Sequence, residues 1–287
     1  ANDNTSVGYF ALKANTTGTP NVAVGNFSLC ANTTGTSNTG VGFCALRNNT
    51  TGDSNTGFGR GALQTNATGD SNTAIGRNAL INSTASNNTA VGFCSLQTNT
   101  TGVSNTAVGR TTLFQNTTGC LNTAVGMSSL ALNTTGFENT ATGYTSLYSN
   151  TTGCFNTAVG KSALENNTTA NNNTAVGTLA LCANTTGACN VAVGRGALQT
   201  NQTGASNVAV GNLALQDNTG ASNTAVGQES LTQNTSGAYN AAFGFEALKN
   251  NTTAQNNSAF GTCALKSNTT GAEHVAVGRQ ALQGNTT

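Results

Sequence analysis

The chain is 287 residues long, with only 7 % charged residues and a formal net charge of +1. It therefore lacks both the basic surface that neutralises a phosphate backbone and an acidic tail, and nucleic-acid binding is not expected. Leu, Val, Ile and Phe number 51, a low share for an ordinary globular core, whereas Asn and Thr make up roughly a third of the residues and Trp is absent.

The apolar residues are few but regularly spaced. Aligned on the commonest pentapeptide, the chain reads as seventeen tandem units with the consensus N-T-A-V-G-x-x-A-L-x-x-N-T-T-G-x-x. The units start at Asn4, Asn21, Asn38, Asn55, Asn72, Asn88, Asn105, Asn122, Asn139, Asn156, Asn173, Asn190, Asn207, Asn223, Asn240, Asn257 and His274. They form one continuous tandem array over residues 1–287. Two units, Asn72 to Asn87 and Asn207 to Ser222, are one residue short, and alignment places the gaps near the tenth and fourteenth positions respectively.

Within a unit, T-A-V and A-L-x are three-residue stretches, too short for helices. Short strands separated by Gly and Asn corners fit instead, in the order strand, corner, strand, corner. A period of this length predicts an all-β chain: a parallel β-solenoid or β-roll of seventeen coils of ~17 residues, with like residues stacked about 4.8 Å apart.

Each position of the unit then has an expected role. The fifth is Gly in every unit, Gly25 and Gly42 among them, as a corner with positive φ or a close backbone approach requires. Val at the fourth position and Leu at the ninth, including Leu29 and Leu46, are expected to form two inner apolar ladders, with Ala at the third and eighth letting the walls close. Asn at the first position, as at Asn21 and Asn38, predicts a corner ladder of stacked amides. All ten Lys and Arg fall at the sixth and tenth positions, and no charge enters positions one to five, eight, nine or twelve to fifteen. Because a buried unpaired charge is costly, the charge-permissive positions are the wet ones. So thin a core favours lateral association of several chains, and an oligomer is expected.

Sixteen N-x-S/T sequons recur at Asn15, Asn32, Asn49, Asn66, Asn82, Asn99, Asn116, Asn133, Asn150, Asn167, Asn184, Asn201, Asn234, Asn251, Asn268 and Asn285. They are candidate N-glycosylation acceptors, or else turn-capping Asn whose side chains bond the local backbone; sequence leaves both readings open. Glycans one coil apart along one edge would be severely crowded.

Catalytic chemistry needs unlike residues converging, and the repeat offers few. His274 is the one histidine, which leaves no Ser/His/Asp triad and no multi-histidine metal site. Stacked carboxylates occur at Asp53 with Asp70 and at Glu229 with Glu246, to be read as exposed repulsion or as a calcium or glycosidase pair. The eight cysteines contain no C-x-x-C, and none shares its unit position with one in an adjacent coil, so a simple coil-to-coil disulfide is not expected. No enzyme activity and no cofactor are predicted. Twelve of the fifteen aromatics occupy variable positions, where they can pack between chains or stack on sugars.

The motif seen in 105-NTAVGRTTL-113 and 156-NTAVGKSAL-164 resembles the S-V-A-I-G-x-x-A repeats of trimeric autotransporter adhesin heads. The longer N-T-A-V-G-x-x-A-L-x-x-N-T-T-G form is similar to repeat shafts of phage or viral tail fibres and bacterial surface fibres. The resemblance covers the whole chain, although this unit is about three residues longer than the adhesin-head coil. It implies a left-handed parallel β-roll, a homotrimer, an extracellular place on a cell or virion surface, and an attachment role.

Neither end carries a signal-peptide, membrane-span or capping pattern. Thr287 followed by Ala1 would continue the repeat in register, as at 167-NTTANNNTAVG-177, so head-to-tail continuation into a filament is expected. The combined expectation is a structural fibre or filament shaft whose partners are copies of itself and surface glycans, with no nucleic acid and no membrane insertion. The alternative is an ice-binding β-solenoid in which Thr ladders order water.

Overall fold

A computed structural model describes residues 3–287; residues 1 and 2, part of the joint with Thr287, lie outside the described residues. The chain falls into two compact units, one up to Asn139 and one from Thr140 to Thr287, each a parallel β-solenoid.

In the first unit, eight three-residue strands follow one another: β1 Thr5–Val7, β2 Val22–Val24, β3 Thr39–Val41, β4 Thr56–Phe58, β5 Thr73–Ile75, β6 Thr89–Val91, β7 Thr106–Val108 and β8 Thr123–Val125. Each pairs in parallel with the next, so that Thr106 faces Thr123, Ala107 faces Ala124 and Val108 faces Val125. The second unit repeats the arrangement with β9 Thr140–Thr142, β10 Thr157–Val159, β11 Thr174–Val176, β12 Val191–Val193, β13 Val208–Val210, β14 Thr224–Val226, β15 Ala241–Phe243, β16 Ser258–Phe260 and β17 Val275–Val277. Like positions stack, as the period predicts.

Each coil contributes one strand, not two. The A-L-x stretch is a chain of turns, and the ninth-position Leu takes a left-handed conformation in every coil, with φ between 47° and 52°. That conformation is unfavourable for a Cβ-bearing residue by roughly 1–2 kcal/mol. The stack offsets it, because from Leu29 to Leu265 this Leu is fully buried and its N–H can still donate to the next coil, as from Leu46 to the Ala62 carbonyl at 2.9 Å and from Leu164 to the Ala180 carbonyl at 3.0 Å. Further stitches run from Asn48 to Gln64, from Thr50 to Ala67 and, in the opposite sense, from Gly59 to Val41. Coil-to-coil hydrogen bonding thus extends well beyond the strands, and most backbone groups are satisfied without regular secondary structure.

The fifth-position Gly has φ between 122° and 140°, a region closed to L side chains. A Cβ on Gly25 would also lie 2.7 Å from the Gly42 carbonyl oxygen, so positive φ and close approach apply together.

The inner face of the strand differs from expectation. Ala at the third position points inward and is buried, as Ala107 and Ala158 are, whereas Val at the fourth faces outward. A three-residue strand can bury its middle or its flanks but not both. The middle residue lies against the Leu of the preceding coil: a Cβ added to Gly57, at this position, would stand 3.3 Å from Leu46 Cγ. Only a small residue fits, so the Val row is displaced outward. The remaining interior volume goes to Asn. Both the first-position row (Asn21, Asn38, Asn55) and the twelfth-position row (Asn32, Asn49, Asn66) are buried. The low apolar content therefore reflects a core whose filling is partly amide.

Candidate functional site

The polar interior is built for structure. At the first position, Asn21 Nδ2 donates to the Gly35 carbonyl of its own coil at 2.8 Å, and Asn21 Oδ1 accepts the Asn38 backbone N–H at 2.9 Å. The ladder runs chiefly from side chain to backbone rather than from amide to amide as expected. The next coil therefore need not carry Asn for this bond: the His274 N–H donates to Asn257 Oδ1 at 2.9 Å, while the buried His274 Nε2 is left without a partner.

The twelfth-position row is a true amide ladder. Asn116 Nδ2 donates both to Asn99 Oδ1 at 2.8 Å and to the Gly119 carbonyl at 2.9 Å, while its Oδ1 accepts from Asn133 Nδ2 at 2.8 Å. This bears directly on the sequons. Asn32, Asn49, Asn66, Asn99, Asn116, Asn133, Asn150, Asn167, Asn184, Asn201, Asn234, Asn251 and Asn268 are fully buried, and a folded coil has no room for a glycan on them. They cap the corner, bonding the carbonyl three residues on. Asn15 and Asn285 are half-buried.

Asn82 is exposed and does not belong to this row. Ser83 takes the slot, its Oγ accepting from Asn99 Nδ2 at 3.2 Å and from the Ala85 N–H at 3.2 Å. The gap in this short unit therefore lies in the N-T-T-G corner, as in the other short unit, and not near the tenth position. Serine supplies no amide to the coil before it, which leaves Asn66 Oδ1 buried without a partner.

The stacked carboxylates are separately compensated. Asp53 Oδ1 accepts the Thr36 N–H at 2.6 Å, and Asp70 Oδ1 accepts the Asp53 N–H at 2.8 Å. Lys249 Nζ bridges Glu229 at 2.5 Å and Glu246 at 2.7 Å, and Lys266 adds a contact to Glu246 at 2.6 Å. Hydrogen bonds from Lys249 and Lys266 pull the Glu246 carboxyl down to about 2, and those from Lys249 and Gln228 lower Glu229. The pair is a salt-bridge ladder rather than bare repulsion. All eight cysteines are free thiols. Burial, followed by the adjacent Glu165 carboxylate, pushes Cys182 up to about 11, so its reactive thiolate is disfavoured.

What remains unsatisfied is the outer face of the sheet. In the first unit it presents Phe58, Ile75, Val91, Val108 and Val125 in one row, with Phe58 55 % and Ile75 41 % exposed. The second unit presents Val159, Val176, Val193 and Val210, then Phe243 and Phe260, whose rings stack with centroids 5.0 Å apart. Beside the Val row runs the second-position row, including six successive threonines from Thr39 to Thr123. Their hydroxyls bond no protein group among the described residues, unlike the thirteenth-position Thr117, whose Oγ1 donates to the Thr134 carbonyl at 3.0 Å. No charged side chain interrupts either row. In sequence the Val row reads as core, which hides this face; Gly40 and Gly57, both at the third position, are the signal that the third position has least room.

Compared with protein-family models and with curated proteins, the chain matches none.

Proposed function

We propose that this chain is a structural β-solenoid, a segment of fibre or filament shaft that associates laterally with copies of itself. The observation that carries the reading is the uncharged Thr/Val face. Its apolar row extends along the sheet of each unit, and the chain itself leaves it in water. Apolar surface contributes about 25 cal/mol per Å² when removed from water, and continuous apolar patches of this kind mark interaction surfaces. A face whose strands stack in register, like position over like, can meet the same face of another copy, as symmetric association requires. A three-chain assembly on a cell or virion surface is the form that the adhesin-head resemblance implies.

Sedimentation velocity tests the proposal. The expected result is a species near three times the 28.6 kDa chain mass, reduced to a monomer with an unchanged circular dichroism spectrum by the combined substitutions Val108→Glu and Val193→Glu. A wild-type chain that stays monomeric at high concentration overturns it.

One observation favours ice binding as a second reading. Free threonine hydroxyls repeat about 4.8 Å apart along the sheet and stand two strand residues, about 6.7 Å, from the Val row, on a surface otherwise without polar groups. The two readings compete for one face. Thermal hysteresis from a monomer favours the second, and an oligomer without hysteresis favours the first.

A further inference from the structure

The first unit carries a concentration of positive charge that the repeat does not need. Arg60 and Arg77 occupy the sixth position of successive coils, and Arg47 stands at the tenth position of the coil before them. Together with Phe43, Gly61, Gln64 and Asn78 they line a cleft of about 370 Å³. No carboxylate pairs with any of the three among the described residues. In the second unit, by comparison, Lys249 and Lys266 on successive coils are compensated by Glu229 and Glu246.

The guanidinium groups are held from the side. Arg60 lies over the Phe43 ring at 5.8 Å, Arg77 over Phe93 at 5.7 Å and Arg47 over Phe27 at 5.3 Å. Ring contact fixes the planes while leaving the N–H forks free to donate. Three like charges converging without counter-charge repel one another, and an oxyanion that accepts from several forks relieves this.

Gly61 lines the cleft without a side chain of its own. Its seventh-position slot has φ +69°, a conformation that Leu179 and Leu213 adopt with side chains in the second unit, at 62° and 58°. The same R-G-A-L sequence recurs at Arg195 to Leu198, where Leu213 Cδ2 stands 2.8 Å from the place of a Gly196 Cβ, much as Asn78 Oδ1 stands 2.9 Å from that of Gly61. What sets the Arg60 copy apart is its neighbours, Arg77 at the sixth position of the next coil and Arg47 at the tenth of the coil before, where the Arg195 copy has Asn212 and Cys182.

From this geometry we infer that the cleft binds a compact oxyanion, a sulfate or phosphate group, free or esterified to a small sugar. The assignment is independent of how the sheet face is used.

Isothermal titration calorimetry at low ionic strength, with inorganic sulfate, inorganic phosphate, glucose 6-sulfate and neutral glucose as probes, tests it. Saturable binding of the anions and none of glucose is expected. The combined Arg60→Ala and Arg77→Ala substitutions should weaken it at least tenfold, and Arg195→Ala should leave it unchanged. Gly61→Leu, which keeps every charge and adopts a conformation that Leu already takes at this position, should abolish binding by filling the cleft while the circular dichroism spectrum is retained. Tighter binding of glucose 6-sulfate than of sulfate identifies a sugar ester as the ligand, and equal binding identifies the free ion. Absence of saturable anion binding, or binding that survives both Gly61→Leu and the double arginine substitution, overturns the proposal.

Discussion

Replacing Asn116 with Asp is the sharpest test of the amide ladder, because it alters one atom type and little volume. The Asn116 amide nitrogen supplies the donors for Asn99 Oδ1 at 2.8 Å and the Gly119 carbonyl at 2.9 Å. An Asp oxygen in its place turns both contacts into oxygen facing oxygen in a site of zero exposure. Two stranded acceptors cost about 1–3 kcal/mol each, and an unpaired buried carboxylate adds to this, so Asn116→Asp should lose about 3–6 kcal/mol at neutral pH. Asn116→Ser is the control, since Ser83 already occupies the equivalent slot and strands only Asn66 Oδ1; it should lose about 1–3 kcal/mol. Burial raises the folded-state pKa of the new Asp above its unfolded value of about 3.9. The penalty is therefore small below that value and grows as pH rises through it. Urea unfolding monitored by circular dichroism at acidic and neutral pH reads these differences, and hydrogen exchange of the neighbouring coils localises them. An Asp variant within about 0.5 kcal/mol of wild type at neutral pH, the range of ordinary surface substitutions, would refute the buried ladder.

Three further outcomes follow from the same packing. Ala158→Val should destabilise by about 1–3 kcal/mol through overpacking, whereas its outward neighbour Val159→Ala should stay within about 0.5 kcal/mol in the isolated chain; equal effects in thermal melts would reverse the inward and outward assignment. Gly109→Ala sets a Cβ 2.5 Å from the Gly126 carbonyl oxygen at φ +138° and should cost about 3 kcal/mol or more, while Gly61→Ala, at φ +69° with a flexible Asn78 side chain as its nearest neighbour, should cost only the roughly 1–2 kcal/mol of a left-handed residue. Glu246, held down to about 2 from an ordinary 4.5, contributes stability that is complete above 4.5 and is lost as pH falls towards about 2; Glu246→Gln should flatten the melting temperature across that window, and an unchanged acid slope would remove the ion ladder from the account.

Much of this architecture was legible in the repeat itself. Seventeen internal copies play the part of an alignment: the sixth and tenth positions, which hold every Lys and Arg, are marked as wet, and Gly at every fifth position marks a backbone that tolerates no Cβ, but absence of charge does not separate the buried third position from the outward second and fourth. The parallel stacking and its register follow from the period. The amide rows were also visible as invariant Asn, although their partners were not, because a ladder closing on backbone and one closing on side chains need the same residue.

Tertiary packing decided the rest. T-A-V alternates apolar character too weakly over three residues to say which side is inward. The answer came from the opposite wall, where buried Leu leaves room for Ala and expels Val to the surface. No sequence signal marks a Leu at φ near +50°, since that conformation is locally unfavourable and is stabilised only by hydrogen bonds and burial that exist once the neighbouring coils are stacked. The Arg47, Arg60 and Arg77 cleft likewise joins two positions of the unit that the period keeps apart in sequence. Period and polarity are properties of the chain alone, whereas orientation, strain and convergence depend on what the next coil places beside each residue.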